Sequence, residues 1–230
     1  MSHDSCILLF VKYPEKGKVK LRLAADLHEE NVLQLYRCFV HDTLKTVKRI
    51  DTDLFICFTP VDALTRFQGW LGSHLQFLPQ NGNDLGERMK HCFATVFAQG
   101  YHHAILIGSD SPDLPGDYVT KGFSLLKTHD VVLGPATDGG YYLIGLRNTT
   151  GTQNLFEGLP WGTSTVLQET LGKIRHRNHT VGLLPDWSDV DTITDLKNLI
   201  LRAQNTAFKS SQTMTYIRTH HITLEDDNEK

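Results

Sequence analysis

Three features are missing from this 230-residue sequence, and each absence excludes a class of protein. No apolar run approaches the roughly 18–20 residues of a membrane-spanning helix, so we expect no membrane partner. The formal net charge is −3 and the two signs are mixed along the chain, so no basic surface for nucleic acid is predicted. The apolar run at 7–11 begins without a basic segment or a cleavage site, which indicates a cytoplasmic protein rather than a secreted one.

Cysteine is also scarce, with four residues that lie far apart in apolar segments: Cys6, Cys38, Cys57 and Cys92. They form no CxxC pair, and the twelve histidines form no HExxH pattern, so a zinc site is not predicted. The sequence has no GxSxG motif either, which excludes the nucleophile elbow of serine hydrolases. We therefore expect reduced cysteines in the core of a cytosolic protein.

Short apolar runs alternate with amphipathic segments along the chain. Runs typical of buried strands lie at 6–12, 54–59, 75–78, 104–108, 131–134, 141–146 and near 181–184. Segments with helical spacing lie at 29–50, 63–71, 84–100, 115–127, 163–174 and 192–203, and Asp84 with Glu87 forms a capping-box pattern. This alternation predicts one α/β domain at 1–205, in which helices cover both faces of a mostly parallel sheet. Residues 206–230 lose the periodicity and are predicted to form a polar, loosely docked tail.

The loop after the first strand, KYPEKGKVKLR at 12–22, is rich in basic residues. In an open parallel sheet, ligands bind beyond the carboxyl ends of the strands, and lysine and arginine at that edge favour a polyphosphate. The loop is not a P-loop, because that motif needs two glycines and only one is present. The alternative is a solvated basic turn. The candidate phosphate-binding residues are Lys12, Gly17, Lys18, Lys20 and Arg22.

Acidic residues follow the most strand-like run, in the loop GSDSPDL at 108–114. Asp110 is well placed to hold a hard cation, since Mg²⁺ bound to a nucleotide takes only one or two protein carboxylates. Alternatively, Asp110 forms a turn, and Asp113 caps the helix that begins near 115. A second acidic loop, DWSDVDT at 186–192, places Asp189 and Asp191 on one side if it is extended. Either carboxylate could complete a cation site. The alternative is capping of the last helix by Asp191 or Thr192, with Asp195 as the N3 partner of Thr192.

A glycine pair marks the loop PATDGGYY at 135–142. Paired glycines allow a close approach of the backbone to a ligand, while Asp-Gly is also typical of a hairpin turn. Asp138 could orient an acceptor group or act as a base, and a tyrosine could stack on a ring. The candidate acceptor-binding residues are Asp138, Gly139, Gly140, Tyr141 and Trp161. For Trp161, the alternative is packing in the core or in a lid.

The segment QNGN at 80–83 follows the third predicted strand. Its amide groups are suited to the edge of a nucleobase, and Gln80 is the candidate for that contact. A plain polar turn is the alternative interpretation of the same residues.

Six blocks of the sequence, spread over residues 6–199, resemble a bacterial transferase family with the glycosyltransferase-A fold. The blocks are FVKYPEKGKVKLRL, QNGNDLGERM, GSDSPDL, VVLGPATDGGYYLIGL, WGTSTV and DVDTITDL. The family is the rSAM/selenodomain-associated transferases, which are similar to the nucleotidyltransferases of molybdenum-cofactor dinucleotide synthesis and to phospholactate guanylyltransferase. The resemblance implies a three-layer α/β/α domain of the nucleotide-diphospho-sugar transferase type.

The resemblance also assigns roles to individual positions. It implies that loop 12–22 surrounds the phosphates, that Asp110 and Asp191 are metal ligands, and that Gln80 lies near the base. The sequence departs from the family pattern at Leu21, where the family usually has a small hydroxyl residue, so one phosphate contact of the loop is lost.

These observations predict a metal-dependent transferase whose partners are a nucleotide or nucleotide sugar and a small-molecule acceptor. Mg²⁺ or Mn²⁺ held by Asp110 and Asp191 would bridge the phosphates, Lys20 would stabilise the leaving group, and Asp138 would face the acceptor. Glycosyl transfer from a nucleotide sugar is the leading hypothesis, and nucleotidyl transfer with release of pyrophosphate is the second. A hypothesis from another class is a non-catalytic nucleotide-binding protein. The sequence assigns neither the nucleobase nor an oligomeric state.

Overall fold

In the computed structural model, which describes residues 4–148 and 152–222, the core is a seven-stranded sheet of order β3-β2-β1-β4-β6-β5-β7. Strand β6 runs antiparallel to β4 and β5, and the other neighbouring strands are parallel. The strands are β1 (Ser5–Lys12), β2 (Asp53–Thr59), β3 (Gln76–Pro79), β4 (His103–Ile107), β5 (Val131–Pro135), β6 (Tyr141–Arg147) and β7 (Val181–Leu183). The predicted mostly parallel α/β sheet is thus confirmed.

Helices cover both faces of this sheet. They are α1 (Glu29–Val47), α2 (Leu64–Leu71), α3 (Leu85–Ala98), α4 (Gly116–Leu126), α5 (Val166–His176), α6 (Ile193–Ala203) and α7 (Gln212–Thr219). Three-residue to five-residue 3₁₀ helices lie at Leu23–Ala25, Thr152–Phe156 and Ala207–Ser210. Each helix in the described ranges is too short or too polar to cross a bilayer.

Strand β1 shows why its sequence is apolar without interruption. Ile7 and Leu9 pack into the cluster beneath α1, α2 and α4, while Leu8 packs into the opposite cluster beneath α3 and α5. Successive side chains of a strand point to opposite faces, so a strand between two helical layers needs apolar residues at every position. The result is the predicted three-layer α/β/α arrangement.

Two helix starts follow the capping patterns of the sequence. Asp84 accepts a hydrogen bond from the backbone N–H of Glu87 at 2.8 Å, as its spacing predicts. At α6, Thr192 and Asp195 form a reciprocal capping box. These caps fix the N-termini of α3 and α6, both of which begin at the edge where the parallel strands end.

The prediction of a loosely docked tail from residue 206 is wrong for the described part of that segment. Helix α7 packs on α1, and Met214 and Ile217 are buried in a third apolar cluster. The buried carboxylate of Asp42 accepts hydrogen bonds from the backbone N–H groups of Gln212 at 3.0 Å and Thr213 at 2.8 Å. A two-turn helix gives too short a period to detect in sequence, and its partner lies some 170 positions away. Residues 223–230 of the predicted tail lie outside the described residues.

Candidate active site

A cavity of about 600 Å³ opens at the carboxyl ends of the parallel strands β1, β2, β3 and β4. Its lining includes the ends of these strands and the two acidic loops, and Phe10, Met89 and Ile144 supply apolar surface. Many of the residues selected from sequence meet here. Those in the lining are Lys12, Lys18, Lys20, Arg22, Gln80, Asp110, Tyr141 and Asp191.

Lys20 is the centre of the charged part of the cavity. Its Nζ contacts Oδ1 of Asp110 and lies 2.7 Å from Oδ1 of Asp191. The lysine side chain is only 4% exposed, whereas the two carboxylates are 48% and 41% exposed. Burial acts to lower the pKa of the Lys20 ammonium, but both carboxylates outweigh this and hold the pKa above its ordinary value. The ammonium is therefore charged, and it neutralises part of an acidic site.

Hydrogen bonds join the acidic loops to each other. The Ser111 hydroxyl donates to Oδ1 of Asp189 at 2.5 Å, and the backbone N–H of Val190 donates to the carbonyl of Asp110 at 2.9 Å. Burial, together with the charge of Asp110, raises the pKa of Asp189 to about 6. The loop after β4 and the loop before α6 therefore form one acidic wall.

Arg202 of α6 forms hydrogen bonds with both of these loops. Its guanidinium donates to both carboxylate oxygens of Asp113, at 2.5 and 3.0 Å, and to the carbonyl of Ser188 at 3.4 Å. The indole of Trp187 also donates to Asp113, at 3.3 Å. The alternative role of Asp113 as a cap of α4 is wrong, because Pro115 precedes that helix and no side chain of the described residues caps it.

The other basic residues of loop 12–22 lie nearer to solvent. Lys18 is 64% exposed, and its Nζ lies 2.5 Å from Oε2 of Glu15, which also contacts Arg66. Lys12 and Arg22 are exposed at the cavity. Gly17 has a φ of +70°, the left-handed turn for which glycine is suited, and does not line the cavity in the described chain. One buried lysine and several exposed cations thus share a single loop.

Tyr36 lines the cavity and forms hydrogen bonds there, which its helical spacing in the sequence did not predict. The hydroxyl donates to the carbonyl of Lys12 at 2.9 Å and accepts from the backbone N–H of Lys12 at 3.0 Å. Ser109 contacts the same hydroxyl at 3.5 Å, so Tyr36 joins the ends of β1 and β4. Burial raises the pKa of Tyr36 to about 12. Its place in the apolar stripe of α1 gave no signal of this role.

The PATDGGYY loop is the hairpin between β5 and β6. Asp138 accepts a hydrogen bond from the backbone N–H of Gly140 at 2.9 Å, and Gly139 has a φ of +92°. A Cβ at Gly139 would lie 2.0 Å from the carbonyl oxygen of Ser164, so close packing also requires glycine there. Of the described residues, Asp138, Gly139 and Gly140 lie outside the lining of the cavity. The hairpin interpretation is confirmed, and the acceptor role stays a prediction.

Trp161 is half-buried against an aromatic neighbour, whereas Gln80 is buried in the lining of the cavity. The half-buried Trp161 packs edge-on against Tyr141, with ring centroids 6.4 Å apart, and covers Gly86, where a Cβ would lie 2.7 Å from the indole Nε1. Gln80 is buried, lines the cavity and donates through Nε2 to the carbonyl of Cys57 at 2.6 Å. This bond fixes the orientation of the amide, whose oxygen is the remaining polar atom.

The donor set fits a divalent cation bound together with phosphates. Among residues 4–148 and 152–222, no three His, Cys, Asp or Glu side chains form a metal-binding group. Two carboxylates, Asp110 and Asp191, nevertheless converge on one cationic atom. A nucleotide-bound Mg²⁺ typically takes one or two carboxylates from a protein, with phosphate oxygens and water as the other ligands.

Solved structures with the same fold include close and distant relatives. A protein from Desulfovibrio desulfuricans G20, provisionally described as a nucleotide-diphospho-sugar transferase, is 44% identical, with a TM-score of 0.92 and 96% of each chain covered. A CMP:2-keto-3-deoxy-manno-octonic acid synthetase complexed with CTP is 10% identical, with a TM-score of 0.55 and coverage of 88% of this chain and 99% of that one. Rv0371C of Mycobacterium tuberculosis H37Rv, in complex with manganese, is 13% identical, with a TM-score of 0.54 and coverage of 87% and 100%.

The distant structures establish the fold alone, since their identities are 10% and 13%. A comparison with curated proteins finds no match. Residues 43–163 match a bacterial family. The chain belongs to that family, which is described as "Uncharacterized protein conserved in bacteria (DUF2064)".

Proposed function

We propose that the protein is a metal-assisted transferase that acts on an activated nucleotide. The observation that carries the proposal is the convergence of Asp110 and Asp191 on one cation, Lys20, inside a cavity with Lys12 and Arg22 at its surface. Carboxylates that face exposed cations across a cavity are suited to a metal–polyphosphate ligand, because the metal and the phosphates each find charges of opposite sign.

The charge balance of the acidic wall supports a divalent cation. Asp110 and Asp191 contact the Lys20 ammonium, which also interacts electrostatically with the more distant Asp189, so one positive charge serves three carboxyl groups. Bound Mg²⁺ or Mn²⁺ would supply a Lewis acid that polarises the phosphate oxygens and neutralises charge. Asp110 and Asp191 would hold this ion, and Asp189 would remain hydrogen-bonded to Ser111 behind them.

The remaining residues bind and orient the substrates in this proposal. Lys20 and Arg22 stabilise the negative charge that develops on the leaving group, because lysine and arginine side chains can hold the oxygens of a transferring phosphate. The amide oxygen of Gln80 accepts a hydrogen bond from the nucleobase, because Nε2 is already used by Cys57. Asp138, on the β5–β6 hairpin, faces the acceptor, and Tyr141 with Trp161 forms an aromatic wall for it.

Transfer of a sugar from a nucleoside diphosphate is the first form of the proposed reaction. It is supported by the 44% identical relative, which is provisionally described as a nucleotide-diphospho-sugar transferase. The acceptor would attack the anomeric carbon, and the nucleoside diphosphate would leave. The six sequence blocks further support membership of the rSAM/selenodomain-associated transferases. The four free cysteines support a cytoplasmic location.

Nucleotidyl transfer is the second form, and the position of Lys20 favours it. A loop lysine beside the two proposed metal ligands is placed to stabilise a departing pyrophosphate after attack on the α-phosphorus. The CTP complex of a protein with the same fold shows a nucleoside triphosphate bound to such a domain. The two forms differ in their product, so they can be separated directly.

A thermal-shift screen followed by product analysis tests the proposal. The purified protein is heated with nucleoside diphosphates, triphosphates and nucleotide sugars, each with Mg²⁺ and Mn²⁺. A ligand at about 100 times its Kd should stabilise the fold by roughly 2.7 kcal/mol. Incubation with small-molecule acceptors should then release a nucleoside diphosphate or pyrophosphate. Stabilisation without turnover would favour the non-catalytic nucleotide-binding protein, and no stabilisation by any nucleotide would contradict the proposal.

A further inference from the structure

The ammonium of Lys20 occupies the position between the two proposed metal ligands. We infer that Lys20 is the resident counter-ion of this site, so that the protein accepts the divalent cation as a metal–polyphosphate complex rather than as a free ion. The inference rests on the proposed function and specifies the form in which its substrate binds.

Lys20 contacts one oxygen of each of the two carboxylates that would bind the metal. Oδ1 of Asp110 and Oδ1 of Asp191 both contact Nζ, which reaches them as the tip of an almost fully buried side chain. A Mg²⁺ ion requires ligand oxygens at about 2.0–2.1 Å and gives up its water shell reluctantly. An ion bound by both carboxylates would therefore lie against the ammonium, and two cations at that distance repel strongly.

A free metal ion brings no anion to replace the two carboxylates that the displaced ammonium loses. Lys20 would then be a charged group in a buried position without its carboxylates, which is unfavourable. A polyphosphate supplies that partner, because its oxygens accept charge-assisted hydrogen bonds from lysine. Metal and phosphate should consequently bind together, each raising the affinity of the site for the other.

The local structure permits this exchange without refolding the loop. Lys20 has a φ of +47°, uncommon for a residue with a side chain, and its carbonyl accepts a hydrogen bond from the N–H of Ala24 at 3.0 Å. The backbone is thus fixed at the start of the short helix Leu23–Ala25, while the four-carbon stem of the lysine has several rotatable bonds through which the ammonium can shift. Only the ammonium must then move, within the cavity that Lys20 itself lines.

The experiment titrates free Mn²⁺ into nucleotide-free protein and measures bound ion by electron paramagnetic resonance. Lys20→Met should bind free Mn²⁺ about tenfold or more tightly than the wild type, because a positive charge in contact with both ligand oxygens is removed. Lys20→Arg keeps the charge and should stay near the wild type. Lys16→Met is the matched control: it removes the same charge from the same loop, and its affinity should change by about twofold or less, since the exposed Lys16 lies 3.8 Å from Glu29 and outside the lining of the cavity.

Addition of inorganic pyrophosphate tests the coupling. It should raise the Mn²⁺ affinity of the wild type and raise that of Lys20→Met much less. Lys20→Gln provides a second uncharged variant, and thermal melts check that each protein is folded. Equal affinity of the wild type and Lys20→Met for free Mn²⁺, or an equal gain in Lys16→Met, would overturn the inference.

Two further variants separate this inference from the proposed function. If Asp110→Asn abolishes Mn²⁺ binding while Lys20→Met behaves as the wild type, the inference alone fails. If Lys20→Met/Asp110→Asn still binds Mn²⁺ as tightly as Lys20→Met, the proposed metal site fails as well. Absence of Mn²⁺ binding in every protein, with and without pyrophosphate, would overturn both.

Discussion

Arg202→Met tests how the acidic wall is held together. The guanidinium bonds both oxygens of Asp113 in the loop after β4 and also reaches the carbonyl of Ser188 in the loop before α6. Methionine preserves much of the apolar stem but leaves the Asp113 carboxylate without its cation. We expect a less stable protein in which the two loops separate more often.

The expected loss follows from the burial of the pair. The Asp113 side chain is 6% exposed and that of Arg202 is 26% exposed. Removal of one partner of a fully buried ion pair costs about 3–5 kcal/mol, and the partial exposure of the arginine reduces this to roughly 2–3 kcal/mol. For a chain of this length, each kcal/mol lowers Tm by about 2–4 °C, so we expect a fall of about 4–12 °C.

Urea denaturation followed by circular dichroism measures this loss. A double-mutant cycle of Arg202→Met with Asp113→Asn should give a coupling energy of about 1–3 kcal/mol, because the second change removes the unpaired charge. Arg218→Met is the control, since the exposed Arg218 bonds the carbonyl of Lys209 at 2.8 Å and its loss should cost about 0.5 kcal/mol or less. Arg202→Met as stable as this control, or a coupling energy near zero, would refute the reasoning.

Three further substitutions test close contacts, each by the change in the free energy of unfolding. Gly139→Ala should destabilise the protein by about 2 kcal/mol or more, because Gly139 has a φ of +92° and a Cβ there would lie only 2.0 Å from the carbonyl oxygen of Ser164. An unchanged free energy of unfolding would contradict this close packing of the hairpin. Gly86→Ala should cost about 1–3 kcal/mol by displacing Trp161, visible as altered tryptophan fluorescence, and an unchanged spectrum would contradict this packing. Asp42→Asn should cost about 1.5–3 kcal/mol through weaker bonds to the N-terminus of α7, and stability equal to the wild type would contradict that docking.

Local patterns were sufficient to predict most of the fold. The uninterrupted apolar run of β1 reflects burial on two faces, and the Thr192 and Asp195 pair marks the start of α6 because the capping box lies within four residues. The rule that ligands bind at the carboxyl ends of parallel strands was sufficient to predict that Asp110 and Gln80 would line one cavity.

Contacts between distant positions could not be predicted in the same way. The ion pair of Asp113 with Arg202 spans 89 positions, and neither residue has a neighbour in sequence that signals it. The contact of Lys20 with Asp191 spans 171 positions, so the sequence indicated a basic loop without showing that one of its lysines is buried between carboxylates. Tyr36 had a helical spacing that core packing alone explains, which concealed its bonds to Lys12.

The most direct test of the central claim is calorimetric titration of the nucleotide found by the thermal-shift screen, with and without Mn²⁺. In the wild type, Mn²⁺ should tighten nucleotide binding by about tenfold or more, and Asp110→Asn and Asp191→Asn should each remove most of that gain. Asp117→Asn, which changes an exposed acid of α4 away from the cavity, should retain it. Nucleotide binding that is independent of Mn²⁺ and unchanged in Asp110→Asn would contradict the account.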